Sequence, residues 1–163
     1  MTLRDARAED LPAIVDLYNA AIPGRLATAD TEPVSVAARA AWFAEFDPAR
    51  RPCLVAEGDA GTLHGWGSLR SFYGRPAYHA TVECAVYVAP AAQGTGVGGA
   101  LLDALLARAP ACGIRTVLAF VFGHNAPSLG LFTRRGFARW GLLPAVAELD
   151  GVERDLVLLG RRL

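Results

Sequence analysis

Apolar positions along the 163-residue chain alternate between helical and strand spacing. Thr2 to Ala6 reads as a short strand. Leu11, Ile14, Val15, Leu17, Tyr18 and Ile22 then recur at helical spacing, with Pro12 tolerated in the first turn and the helix ending before Pro23-Gly24. A loop from Arg25 to Pro33 leads to a second helix striped by Val36, Ala40, Phe43 and Phe46; Ser35 is placed to cap it, and Pro48 to Pro52 closes it. Cys53 to Glu57 and His64 to Ser71 form an antiparallel pair around Gly58 to Gly61, and Ala80 to Val88 is the next strand after the loop at Gly74-Arg75-Pro76. Leu101, Leu102, Leu105 and Leu106 give a third helix, running from near Gly98 to Pro110–Gly113, its buried side. Arg115 to Phe122 is a strongly apolar strand, and Ser128 to Arg135 a short helix ended by Gly136. Phe137 to Leu143 and Arg154 to Leu159 complete the strands, with no internal repeat, low-complexity tract or linker.

The segment Gln93-Gly94-Thr95-Gly96-Val97-Gly98 changes the picture most. It carries the chain from an apolar strand into a helix through residues with little side chain, so several peptide N–H groups and the positive end of the helix dipole converge on one point. A pyrophosphate fits such a point. A nucleotide P-loop would close on Lys-Ser or Lys-Thr, and the chain contains no lysine. The dinucleotide fingerprint would follow the first strand of a parallel unit and need an acidic residue about 20 residues on, whereas this turn follows the fourth strand and Val117 to Val121 is apolar.

Composition narrows the partners. Sixteen arginines balance 16 acidic residues without a basic block, which favours neither nucleic acid nor an acidic membrane and leaves a small molecule as the expected partner. At this length one domain over residues 1–163 is expected, burying roughly 70% of the surface of its unfolded chain. Cys53, Cys84 and Cys112 are odd in number and form no Cys-x-x-Cys pair, the amino terminus lacks a signal peptide's apolar core, and no apolar run reaches the ~18 residues of a membrane span. The expected setting is the reducing cytoplasm. His64, His79 and His124 have no metal-ligand spacing, and no metal is expected.

Gln93, Gly96 and Gly98 satisfy a Gln/Arg-x-x-Gly-x-Gly pattern that follows Glu83-x-x-Val86-Tyr87-Val88. On these motifs the chain resembles the GNAT superfamily of N-acetyltransferases, and within it the phosphinothricin and methionine sulfoximine acetyltransferases. Further likeness lies in Arg4-Asp5-Ala6 with Ile14 to Ala21, in Pro33-Val34 to Trp42-Phe43, and in Asn125 to Phe137. The resemblance implies an α/β (α+β) GNAT fold: a mixed, mostly antiparallel seven-stranded sheet, about four flanking helices, and a splay between the fourth and fifth strands that admits a pantetheine arm. It implies acetyl-CoA as cosubstrate, a small amino-acid-like amine as acceptor, and a homodimer.

Amide formation from an amine and a thioester needs a neutral amine, donors for the developing oxyanion, and a proton for the departing thiolate. Glu83 is the candidate base: a glutamate in an apolar strand is ion-paired, solvent-facing or lining a cavity, and its place ten residues before Gln93 coincides with the glutamate that the resembling enzymes set at the amine. The resemblance further assigns the cofactor to backbone groups around Val86, Tyr87 and Val88, to Gln93, Gly94, Thr95, Gly96, Val97 and Gly98, and to Asn125 and Ser128, and it places the oxyanion donor near a bulge around Val86 to Val88. Asn125 also reads as a helix cap with Pro127 in the first turn, a reading compatible with the first. Arg70, in a Gly-x-x-Arg-x-Phe stretch, suits a substrate carboxylate, because a guanidinium can clamp both oxygens.

The chain departs from its relatives at Phe132, which stands where they carry Tyr or His as thiolate proton donor, and near Ala29, where they carry an aromatic. Tyr87, water, or departure of an unprotonated thiolate would have to compensate. Cys84, next to Glu83, should point to the opposite face of its strand. The expected activity is therefore direct acetyl transfer in a ternary complex. Acetylation of a protein amino terminus and a catalytically silent acyl-CoA sensor remain the alternatives.

Overall fold

The computed structural model describes residues 1–163. Its strands are β1 (Thr2–Asp5), β2 (Cys53–Glu57), β3 (Leu63–Ser71), β4 (Thr81–Val88), β5 (Thr116–Phe122), β6 (Ala138–Leu149) and β7 (Val152–Arg162). Its helices are α1 (Leu11–Ala21), α2 (Val36–Phe43), α3 (Val97–Arg108) and α4 (Ala126–Thr133). One sheet holds all seven strands in the order β1-β2-β3-β4-β5-β7-β6, antiparallel except for β4 with β5. This is the GNAT fold that the resemblance implies.

Helices cover both faces. On one, Leu101, Leu102 and Leu105 of α3 join Leu54, Leu69, Val82, Cys84 and Val117 in the larger core cluster. Gly65 and Gly67 let α3 approach: a Cβ on Gly65 would meet the Tyr87 carbonyl oxygen at 2.7 Å and Val97 and Leu101 at 3.2 Å. On the other face, Ile14 and Tyr18 of α1, with Ile22 just beyond its end, pack with Val55 and Trp66, and Trp42 and Phe43 of α2 lie against them. Ser35 accepts a hydrogen bond from Ala38 N–H at 3.1 Å and caps α2 as expected.

Helix α3 starts at Val97 and α4 at Ala126, slightly ahead of the expected Gly98 and Ser128. The largest departure is the β6–β7 hairpin, which runs from Ala138 to Arg162 where the apolar pattern implied two short strands. Asp150 and Gly151, both left-handed at φ 52° and 77°, form its turn, and Asp-Gly is a strong two-residue hairpin signal. The outer strand β6 is exposed on most positions, so alternation does not reveal its full length.

Candidate active site

The parallel partners of β4 and β5 are Thr81 with Thr116, Val82 with Val117 and Glu83 with Leu118; beyond these the strands part. A cavity of about 1120 Å³ opens in the splay. The register of β4 on β3 is unbroken from Gly65–Val88 to Ser71–Val82, so the expected bulge near Val86 to Val88 is absent from that pairing. The splay exposes backbone groups instead. Thr81 C=O accepts from Phe72 N–H and Ala89 N–H donates to His64 C=O, so the backbone groups of residues 81, 83, 85, 87 and 89 point toward β3. Alternation turns those of Val86 and Val88 toward β5, where the strands have already separated.

The glycine turn closes one end of this cavity. Gly94 and Gly96 take φ of 76° and 93°, conformations that favour glycine, and Gly96 caps α3 without any side-chain acceptor. The N–H groups of Gly94, Gly96, Val97, Gly98 and Gly99 have no acceptor within the protein, the first α3 bond being Ala100 N–H to Gly96 C=O at 3.0 Å. That arrangement is a nest of free donors at a helix amino terminus, suited to phosphate oxygens. A Cβ on Gly98 would lie 3.3 Å from Val88 Cγ2, so the small residue keeps the wedge between α3 and β4 open.

Glu83 lines the same cavity, half-buried. No protein group donates a hydrogen bond to its carboxyl; burial pushes its pKa above the ordinary glutamate range, and the Arg70 charge pulls the other way. Cys84 lies on the opposite face in the α3 core, where burial raises its thiol pKa far above normal and keeps it neutral.

The cavity also brings together Val86, Tyr87, Val88, Gln93, Gly94 and Gly96, as well as Val97, Gly98, Asn125 and Ser128. Two of the residues expected at the site lie outside its lining. Thr95 turns its hydroxyl back to Ala92 C=O at 2.6 Å, tightening the glycine turn instead of presenting a donor to the cavity. Arg70 is half-exposed and reaches Glu45 at 3.1 Å, because the acidic residue after α2 lies on its face of the sheet. Asn125 is buried, with its oxygen on Ser128 N–H at 3.2 Å and its amide on Leu26 C=O at 3.0 Å.

Phe132 is a core residue, buried and edge-on to Phe137 at 5.0 Å. Tyr87 donates to Ala27 C=O at 3.1 Å, and burial pushes its hydroxyl pKa well above the usual tyrosine value. His79 lies outside β4, its ring against Pro76 C=O, so it does not share the face of Glu83.

Walls that the sequence pattern did not announce come from Leu26 to Ala29 and from Val146 and Ala147 in β6. The Asp150-Gly151 turn was the available signal for the latter. A register shift between Leu143 and Ala147, with Ala145 at φ 52° and its N–H on Asp155 Oδ1 at 2.8 Å, marks the bulge that accompanies this wall.

A splay between the fourth and fifth strands is what the resemblance to acetyltransferases implies, and residues 11–137 match the acetyltransferase (GNAT) family. The chain belongs to that family. It is 50% identical over 163 residues to the Bacillus subtilis (strain 168) protein YwnH, covering 100% of this chain and 99% of YwnH. It is 37% identical over 158 residues to an L-methionine sulfoximine/L-methionine sulfone acetyltransferase of Pseudomonas aeruginosa, covering 97% and 92%. The solved phosphinothricin acetyltransferase of Sinorhizobium meliloti in complex with AcCoA superposes with a TM-score of 0.93 at 34% identity, over 99% of this chain and 88% of that one.

Proposed function

We infer that this protein transfers the acetyl group of acetyl-CoA to the primary amine of a small amino-acid-like molecule, by direct attack in a ternary complex. The observation that carries the reading is Glu83: a half-buried carboxyl with no hydrogen-bond donor, in the same cavity as the glycine-turn nest. Residues 1–163 act as one domain, a reading supported by strands from both ends of the chain in one sheet.

An alkylammonium titrates near pH ~10, so at neutral pH the acceptor must lose a proton before it can attack. Glu83 takes it, directly or through water. The nest from Gly94 to Gly98 holds the pyrophosphate of acetyl-CoA, with Gln93 at its edge. The outward backbone groups of Val86 and Val88 hold the pantetheine amides, and an N–H of this stretch stabilises the carbonyl oxygen as charge develops. Asn125 and Ser128 close the wedge from α4. With Phe132 unable to donate and Tyr87 committed to Ala27, the thiolate leaves unprotonated or is protonated by water.

Arg70 binds an acceptor carboxylate by exchanging Glu45 for it. That exchange is inexpensive, since an exposed ion pair contributes only ~0–1 kcal/mol. Three free cysteines support a cytoplasmic setting, and no helix is long and apolar enough to cross a membrane. Exposed Trp140, Leu143 and Val146 on the sheet's outer strand suit a second copy of the chain, supporting a homodimer.

Thiol release from acetyl-CoA, measured against methionine sulfone, phosphinothricin, other amino acids, their decarboxylated analogues and short peptides, tests the reading. Turnover restricted to carboxylated small amines is expected. Turnover of peptides alone would shift the assignment to amino-terminal acetylation, and tight acetyl-CoA binding without turnover would make the protein a sensor.

A further inference from the structure

The loop between α1 and α2 supplies Leu26 to Ala29 to the cavity wall, and three consecutive carbonyls of it are gripped from across the site. His124 Nε2 donates to Arg25 C=O at 2.7 Å, Asn125 Nδ2 to Leu26 C=O at 3.0 Å, and Tyr87 Oη to Ala27 C=O at 3.1 Å. His124 and Asn125 belong to the turn between β5 and α4, whereas Tyr87 comes from β4, so the clamp spans both sides of the splay. Thr28 continues it, its hydroxyl 2.5 Å from that of Tyr18.

Two features show that the clamp does more than satisfy carbonyls. Arg25 sits at φ 52°, a left-handed conformation that residues other than glycine adopt uncommonly and that persists where the surroundings over-determine it. Its guanidinium is held as well, by Asp150 at the tip of the β6–β7 hairpin at 3.0 Å and by Thr31 C=O at 3.1 Å. His124, meanwhile, keeps its ring buried enough that Nδ1 has no partner, an arrangement that costs free energy and is offset by what Nε2 does.

We propose that His124 and Asn125 are positioning residues for the acceptor amine, fixing the loop wall of residues 25–29 by their hydrogen bonds to Arg25 and Leu26. The proposal rests on the acetyltransferase reading for its kinetic consequence. Tyr87 shares its face of β4 with Glu83, so the loop it holds walls the Glu83 side of the cavity, where the amine is to lie; the two adjacent residues fix that wall from the turn that also begins α4. Acceptor binding is therefore tied to the α4 side of the cofactor wedge.

The test compares His124→Ala, His124→Gln and Asn125→Asp with the unaltered protein, by steady-state kinetics and by amide hydrogen exchange over residues 25–30. Aspartate keeps the cap on Ser128 N–H but loses the donor to Leu26. His124→Ala should raise KM for the amine roughly three- to tenfold, the range of one net hydrogen bond, with KM for acetyl-CoA within about twofold, whereas Asn125→Asp, at a residue that also closes the cofactor wedge, should raise KM for both. Exchange in the loop should quicken while the core strands stay protected, and His124→Gln, which retains an N–H donor, should recover much of both effects.

Unchanged exchange, or faster exchange with unaltered amine KM, overturns the proposal. So does an equal rise in both KM values for His124→Ala. An Asp150→Asn variant at the exposed hairpin tip guards against folding failure in the buried ones and should loosen the same loop. Should the unaltered protein acetylate no amine, the acetyltransferase reading fails, while loop exchange still decides whether the clamp exists.

Discussion

Arg70 and Glu83 are direct cross-strand partners in the β3–β4 ladder, and Arg70 is the charge that tempers the upward push of burial on the Glu83 carboxyl. Side chains opposite one another on one face of a sheet sit close enough to interact. The relationship ties the candidate carboxylate-binding group to the candidate base.

Glu83→Gln keeps the shape of the side chain and removes the base. Acetyl transfer at neutral pH should fall by roughly 10²- to 10⁴-fold, with the loss shrinking as pH approaches the pKa of the amine. Acetyl-CoA affinity should persist. Full activity at pH 7 would remove Glu83 from the role, and an equal loss at every pH would make it a positioning group.

Arg70→Gln should move the acid limb of the kcat/KM profile to higher pH, because a positive charge that favours the carboxylate has been removed. Arg70→Lys should leave that limb nearly in place yet raise KM for a carboxylated amine, since lysine keeps the charge and loses the fork. An acid limb that ignores Arg70→Gln would show that the two residues do not communicate in solution.

The same raised pKa has a stability consequence of definite sign. A carboxyl whose folded-state pKa lies above its unfolded value favours folding when protonated, and that contribution is lost as pH rises through the folded pKa. Glu83→Gln should therefore raise Tm at pH 7, and the gain should vanish below the ordinary glutamate pKa. A lower Tm at pH 7 would mean that the carboxylate has a partner in solution.

Gly98→Glu should weaken acetyl-CoA binding by about 1.4 kcal/mol or more, a factor of ten, because it sets a carboxylate where phosphate oxygens are to lie. Gly98→Ala separates charge from bulk: its Cβ meets Val88 at 3.3 Å, and its effect on affinity, read by calorimetry, should be smaller. Gly96 is a poorer probe, since at φ 93° any side chain strains the backbone as well. Equal affinities for Gly98→Glu and the unaltered protein would dismiss the nest as the phosphate site.

Gly65→Ala should destabilise the domain by roughly 1–3 kcal/mol, the range for overpacking a close-packed core. The added methyl would press on a backbone oxygen at 2.7 Å and on two α3 side chains. A lowered denaturation midpoint with an unchanged slope is the expected signature.

Local chemistry alone determined much of this protein. The helical and strand periods, the cap at Ser35, and the glycine turn into α3 all depend on neighbours a few residues apart, and each was legible from the chain. Glu83 stood out because a glutamate in an apolar strand must be explained. Tertiary structure decided what distance in sequence conceals. Arg70 was read as a carboxylate clamp, but only the fold shows Glu45, 25 residues away, in contact with it. Asn125 read correctly as a helix cap, while its second bond reaches back 99 residues to Leu26. The full length of the β6–β7 hairpin was likewise hidden, since an exposed outer strand need not alternate apolar with polar residues. Periodicity reports which face of an element is buried, whereas hydrogen bonds between distant loops leave no periodic trace, so the cavity wall at Leu26 to Ala29 emerged only when the chain was folded.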